Sequence, residues 1–334
     1  ILVSEDDGTT WASTDLYSPY ISGGSGQNAV VGAQTVGANM FVADDSGKVL
    51  KFNQSTNTFD LFADTGVSAT DMQLWFGKLL VAHGSTNFIS SVDSVSGAIT
   101  SLTQYAKVLT VWNGYLWGGV NNIASYTNDA VTWVDVQVGP DDYNIIGMAG
   151  LGDDVLVSTE QAIWRIAPGD WVYGVTKWAY QSVNNGVNML NSQGVALVPA
   201  ENTLIRMQAG APLANLWNRD ESLPSTRAGI LGGVIGTNKE FVVWVDPAEN
   251  DGISTCWSFN NQGWHFVAGL PSGMSINHMH YDSSQDSIWI FSSTGHAWKF
   301  YASSTASSPA TDSRTQYNPT GVVIMGTFHG GLMT

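Results

Sequence analysis

Hydrophobic positions in this chain fall in short runs, broken every few residues by Gly, Asn, Asp or Ser. The pattern is clearest between Leu109 and Val136, where four apolar segments follow one another. The first ends at Asn113-Gly114, a pair that accepts φ > 0 at both positions and so marks a tight hairpin. The third ends at Asn128-Asp129, and the fourth opens at Thr132-Trp133. Four antiparallel strands in so short a span make one small sheet. Such a sheet cannot bury both faces alone, so the rest of the chain must supply its neighbours.

The second-strand pattern recurs seven times, starting at Asn39, Lys78, Gly114, Asp154, Gly194, Phe241 and Ser287, at intervals of 39, 36, 40, 40, 47 and 46 residues. Propeller blades repeat at about 40 to 50 residues. Each copy is followed after a short turn by a third strand, as in Val49-Leu50-Lys51-Phe52 and Ala162-Ile163-Trp164-Arg165-Ile166. Several are preceded by an apolar segment rich in small residues, such as Ile145-Ile146-Gly147-Met148-Ala149 and Ile230-Leu231-Gly232-Gly233-Val234. Small side chains suit an innermost strand, where blades crowd around an axis. No segment has a convincing helical period, which argues against a parallel α/β sheet. The pattern predicts an all-β fold: a β-propeller, most simply of seven four-stranded blades, over residues 16–302.

The seventh copy lacks an obvious fourth strand. Residues 1–15 read as a hairpin without inner partners, so the segment Thr9 to Thr14 is expected to complete the last blade and close the ring. Ile1-Leu2-Val3 looks like a third strand, however, so an incomplete eighth blade continuing upstream of Ile1 is the rival. Residues 303–320 read as a Ser, Thr, Ala and Pro-rich linker, and residues 321–334 as an exit strand leading to another domain or partner.

Charge and cysteine content narrow the function. Lys plus Arg number 12 against 28 Asp plus Glu, a net charge of −16. Such a chain should not hold nucleic acid by neutralising phosphates, so no sequence-specific nucleic-acid partner is expected. Nor should it settle on an anionic membrane, and no apolar run approaches the ~18 residues of a membrane span. The one cysteine, Cys256, lies in a predicted strand and is expected to be a buried apolar residue.

Ser4-Glu5-Asp6-Asp7-Gly8-Thr9-Thr10-Trp11 fits the pattern S-x-D-x-G-x-T-W, with Ser4, Asp6, Gly8, Thr10 and Trp11 at its fixed positions. Thr127 to Trp133 is a shortened copy that keeps Asp129, Thr132 and Trp133 and has Ala130 for Gly. The Asp side chain accepts from backbone N–H groups of its own turn, Gly supplies φ > 0, and Trp packs between strands. These segments resemble the Asp-box (BNR) repeats of sialidase-type propellers, where such boxes join third and fourth strands away from the active site. The resemblance therefore bears on fold rather than activity. Sialidases use three arginines around a carboxylate. This chain has five arginines in all: Arg165, Arg206, Arg219, Arg227 and Arg314. Arg165 and Arg206 sit at equivalent places in adjacent third strands, which fits blade packing better than catalysis.

Other chemistry is thin. Asp44, Asp45, Glu160, Glu201, Glu249 and Asp251 fall at turns between second and third strands and so share one propeller face; solvated turns explain them better than a glycosidase pair does. Asp246 to Gly252 offers oxygen ligands for Ca²⁺ but lacks EF-hand spacing, so no cofactor is expected, Ca²⁺ being the one candidate. His278-Met279-His280 sets two imidazoles on one side of a strand without an identifiable third ligand. Gly229 to Gly236 is Gly-rich but has no phosphate-loop Lys. Most tryptophans fit blade cores; Trp178 and Trp217, near strand ends, are the two to check as sugar platforms.

The N-G-x-L-W and D-x-x-T-W rhythm over residues 35–300, with an exit strand after residue 320, is similar to propeller domains of bacteriophage tail proteins, especially the nozzle (tail tubular B) family of short-tailed phages. The resemblance implies a non-enzymatic virion component, homo-oligomeric around the tail axis, in contact with other tail proteins near the DNA exit path. The alternative is a secreted glycan-binding or glycoside-hydrolysing propeller of sialidase type.

Overall fold

The computed structural model describes residues 2–3, 12–13, 28–53, 55, 58–178, 181–200, 203–209, 214–215, 230–237, 240–246, 254–259, 264–269, 275–293 and 297–301. They form a seven-bladed β-propeller without helices among the described residues. Blades 1 to 6 are four-stranded antiparallel meanders, and blade 7 shows three strands.

The innermost strands are Val30–Val36, Asp71–Trp75, Val108–Trp112, Ile145–Leu151, Leu190–Ser192, Ile230–Gly236 and Ile276–Asp282. Each packs beside the next, and the last packs beside the first, so the ring is closed. Glycines make this crowding feasible. A Cβ on Gly32 would lie 2.7 Å from the Met72 backbone nitrogen of the next blade, and one on Gly147 would overlap Gly186 O at 1.9 Å.

The second strands run Asn39–Asp44, Lys78–Ala82, Tyr115–Val120, Asp154–Thr159, Val195–Ala200, Phe241–Asp246 and Ser287–Ser292. They lie mid-blade and hold the largest buried side chains, among them Phe41, Leu79, Leu116, Leu156, Trp244 and Trp289. A strand covered on both faces reads as a near-continuous apolar run, which is why this strand gave the repeat. Asn113 (φ 50°) and Gly114 (φ 81°) form the expected left-handed hairpin tip, with Trp112 opposite Tyr115.

Connectivity divides the surface in two. Turns from second to third strands, together with blade-to-blade connections, form an upper face. Turns from first to second and from third to fourth strands form a lower face. Ala12–Ser13 pairs with Leu2–Val3 in a separate two-stranded sheet. The rest of the expected closing segment, the linker and the exit strand lie outside the described residues.

Candidate functional site

On the upper face the acidic turns split into separate, locally satisfied sites. Asp44 ends the second strand of blade 1; its Oδ1 accepts from Ser46 N, Ser46 Oγ and Lys48 N, and its Oδ2 from Asn28 Nδ2. Asp45 is pushed above the usual carboxylate range by burial and by the neighbouring Asp44 charge. Glu160 sits three blades away, on the far side of the ring. It accepts from Gln181 Nε2 (3.0 Å) and Asn144 Nδ2 (3.1 Å), and these bonds hold its carboxyl below the ordinary value. The fold thus puts Asp44 and Glu160 on one face, as expected, without bringing them together. Glu201, Glu249 and Asp251 lie outside the described residues, as does most of the Asp246–Gly252 segment.

The remaining sequence candidates also resolve into scaffold roles. Asp129 Oδ1 accepts from Val131 N (2.8 Å) and Thr132 N (2.7 Å) and from the Thr127 hydroxyl. Those donors hold its carboxyl down at about 2. Trp133 packs against the core between blades 2 and 3. Ser4, Asp6, Gly8, Thr10 and Trp11 lie outside the described residues. Arg165 forms an ion pair with Asp154 on the neighbouring strand of its own blade. Arg206 lies opposite Leu197 and Ala214, while Arg219, Arg227 and Arg314 are not described. Trp178 is part of an apolar cluster and donates Nε1–H to Thr159 O, so its ring serves packing; Trp217 is not described. Gly232 and Gly233 clear space for the buried Trp244, which accounts for that Gly-rich strand. Cys256 is buried with its sulfur 3.6 Å from Met279 Sδ, and burial pushes its thiol up.

His278 packs its ring near Trp244 (6.4 Å) and Phe291 (6.5 Å), while His280 Nε2 lies 2.9 Å from Thr35 Oγ1 across the ring closure. Burial lowers His278 to about 3, helped by His280, and His280 to about 4. Both are neutral imidazoles near pH 7. Among the described residues no third His, Cys, Asp or Glu gathers around them.

Sequence reasoning missed three titratable groups. Asp71 opens the inner strand of blade 2. Its Oδ2 accepts from Leu109 N of blade 3 at 2.6 Å and its Oδ1 from Met72 N at 2.7 Å. Burial outweighs these donors and pushes its carboxyl up to about 7. His83 directly follows the neighbouring second strand. Its Nδ1 is 2.9 Å from Ser68 O, so Nδ1 carries the proton and Nε2 accepts from the Ser90 hydroxyl. Burial lowers its pKa. A charged residue at the start of an inner strand whose only other polar residue is Gln73 was the available signal for Asp71. Asp93 was also missed: its Oδ1 accepts from Val95 N and Ser96 N, repeating the Asp129 turn in blade 2 without the full motif.

No family model matches the chain, and no curated protein matches it. Solved structures do. Virginiamycin B lyase from Staphylococcus aureus aligns at 11% identity over 82% of this chain and 95% of that one, with a TM-score of 0.65. YCF48 from Cyanidioschyzon merolae aligns at 9% identity over 83% and 96%, with a TM-score of 0.62. The WD40 repeats of RRP9 align at 10% identity over 80% and 88%, with a TM-score of 0.60. The first is an enzyme by name; at these identities the likeness is one of fold alone.

Proposed function

We propose that this chain is a structural and interaction propeller of a virion, a nozzle-like bacteriophage tail component that is oligomeric around the tail axis near the DNA exit path. The observation that carries the non-enzymatic reading is what the described polar groups do. Asp44, Asp129, Glu160, Arg165 and His83 each hold a turn, a strand pair or a connection through named partners. None converges with another on a shared reacting position, as catalysis by paired groups requires. The virion assignment is supported by the blade rhythm of the sequence. A net charge of −16 fits a wall that must not retain DNA. Its partners are copies of itself and other tail proteins, and it needs no cofactor for this role.

Electron microscopy of the native assembly tests the reading directly. A ring-shaped oligomer on a particle is the expected result. Hydrolysis of labelled sialosides, or a clear signal on a glycan array, would instead favour a secreted glycan-directed propeller.

A further inference from the structure

The lower face is not uniform around the ring. In blades 2, 3 and 4 its turns carry exposed apolar side chains: Phe76 (74% exposed), Val95 (89%), Val131 (77%) and Trp171 (66%), with Tyr115 beside them. The described hairpin tips of blades 5 and 7 are polar instead, Gln193-Gly194 and Ser283 to Asp286. Single exposed apolar residues are ordinary, but a group of them on one side of a face marks an interaction site.

The tips of blades 2 and 3 are physically linked. Trp75 donates Nε1–H to Gly114 O at 3.2 Å, which sets the Phe76 tip beside the Tyr115 tip. Tyr115 and Tyr126 have ring centroids 5.5 Å apart. Asp170, the residue before Trp171, lies near enough to raise the pKa of the Tyr126 hydroxyl, after burial the largest influence on it. The exposed side chains thus follow one another on the turns of three consecutive blades, a strip along one side of the face.

Phe76 adds an independent observation. Its φ is 45°, a left-handed conformation that a bulky side chain disfavours. The equivalent tips of blades 3 and 5 use Asn113 (φ 50°) and Gln193 (φ 53°). Phe76 lies tilted over the buried Trp75, ring centroids 4.7 Å apart, yet leaves most of its own surface in solvent. Fold stability does not explain a strained, exposed phenylalanine; recognition does.

The surrounding charge says what the partner looks like. Lys78 pairs with Asp93 and Arg165 with Asp154. Asp129, Asp153 and Asp170 have no basic partner among the described residues. The strip is therefore apolar with an acidic surround. Two copies meeting through it would set like charges together, so a second copy of this chain is disfavoured.

We propose that the lower face of blades 2 to 4 docks a different protein, through a surface that is apolar at its centre and rimmed by Lys and Arg. This rests on the interaction-module reading and names the partner's chemistry. Because the strip occupies one side of the ring, the partner sits off the propeller axis.

Two labelled amphipathic helical peptides with the same apolar face test this, one with Lys and one with Glu on the polar face. The Lys peptide binds the native chain, and the triple variant Phe76→Asn/Val131→Ser/Trp171→Ser weakens it roughly tenfold or more. Leu61→Ser, at an exposed position on the outer strand of blade 1, leaves binding unchanged. Phe76→Asn alone weakens binding while raising the melting temperature by about 2 °C, since Asn suits the left-handed tip. Equal binding of the Glu peptide, or an unaltered triple variant, overturns the proposal. So does a native dimer in sedimentation velocity that the triple variant abolishes. Any of these leaves the structural reading standing, because that reading fails on sialoside turnover by the native chain instead.

Discussion

Among the described residues, five side-chain hydrogen bonds join blades 2 and 3: Thr70 Oγ1–H to Lys107 O, Leu109 N–H to Asp71 Oδ2, Trp75 Nε1–H to Gly114 O, and Gln104 Nε2–H to both Ser125 Oγ and Asp135 Oδ1. Between blades 7 and 1 a polar contact joins Thr35 and His280. There the seam is aromatic, with Phe52 and Phe59 packed 4.8 and 5.7 Å from Trp289 and Phe59 6.2 Å from Phe291. The two junctions differ in chain separation: 38 residues for Asp71–Leu109 and 245 for Thr35–His280. Joining the more distant pair costs about 2 kcal/mol more in loop-closure entropy. Directional bonds of modest net worth suffice between sequential blades, whereas the closing seam relies on the larger area that buried aromatics provide.

The sharpest way to break this contrast is Trp289→Ala. Trp289 is buried in the cluster that joins blades 7 and 1. Its removal should cost about 3 to 5 kcal/mol, read as a fall in the urea midpoint. Hydrogen exchange should rise first in blades 1 and 7. If protection were lost evenly around the ring, the seam would hold no special place.

Gly150→Ala is the counterpart at a sequential junction. A Cβ there would lie 1.8 Å from the Trp112 ring, and Trp112 donates Nε1–H to Gly152 O at 3.0 Å. Expelling the ring should cost about 1 to 3 kcal/mol, less than the closing seam. A loss equal to that of Trp289→Ala would erase the distinction.

The Asp71 contact should also make the junction between blades 2 and 3 lose stability as pH rises, whereas neutral His280 makes the closing seam lose it as pH falls. The folded pKa of Asp71 is raised from 3.8 to about 7, so the folded state holds the proton more tightly than the unfolded one. Its contribution is full below about pH 4 and declines as pH rises towards 7. Asp71→Asn keeps an acceptor for Leu109 N–H and should flatten this slope in denaturation midpoints measured from pH 4 to 7. An unchanged slope would assign it to other groups.

Legibility followed burial. The second strands are covered on both faces, so their apolar runs exposed the repeat, and Asn113-Gly114 fixed a hairpin tip. Junction chemistry was not legible, because it depends on which residues of different blades meet. Nothing in Asp71 or Trp75 announces a partner nearly forty positions away. The acidic upper face shows the same limit: spacing placed Asp44 and Glu160 on one face, but only the ring geometry sets them three blades apart. Phe76-Gly77 was readable in principle, since an aromatic residue stands where a hairpin tip ordinarily wants Asn.

The smallest expected effect has the opposite sign. Ala130 sits at φ 64° in the turn held by Asp129, at the position where the sequence pattern has Gly. Its backbone neighbours are already fixed, because Val131 N and Thr132 N bond the Asp129 carboxylate and Ala130 N bonds Thr127 Oγ1. Glycine keeps these bonds and removes the Cβ penalty of the left-handed region, but it also loosens the unfolded chain. The first term wins where φ is positive, so Ala130→Gly should stabilise the protein by about 0.5 kcal/mol. Because the turn lies within one blade, neither junction should respond, and exchange protection should rise only around residues 127 to 134. A destabilised Ala130→Gly would mean that the partly buried methyl contributes more to the core between blades 2 and 3 than its conformation costs.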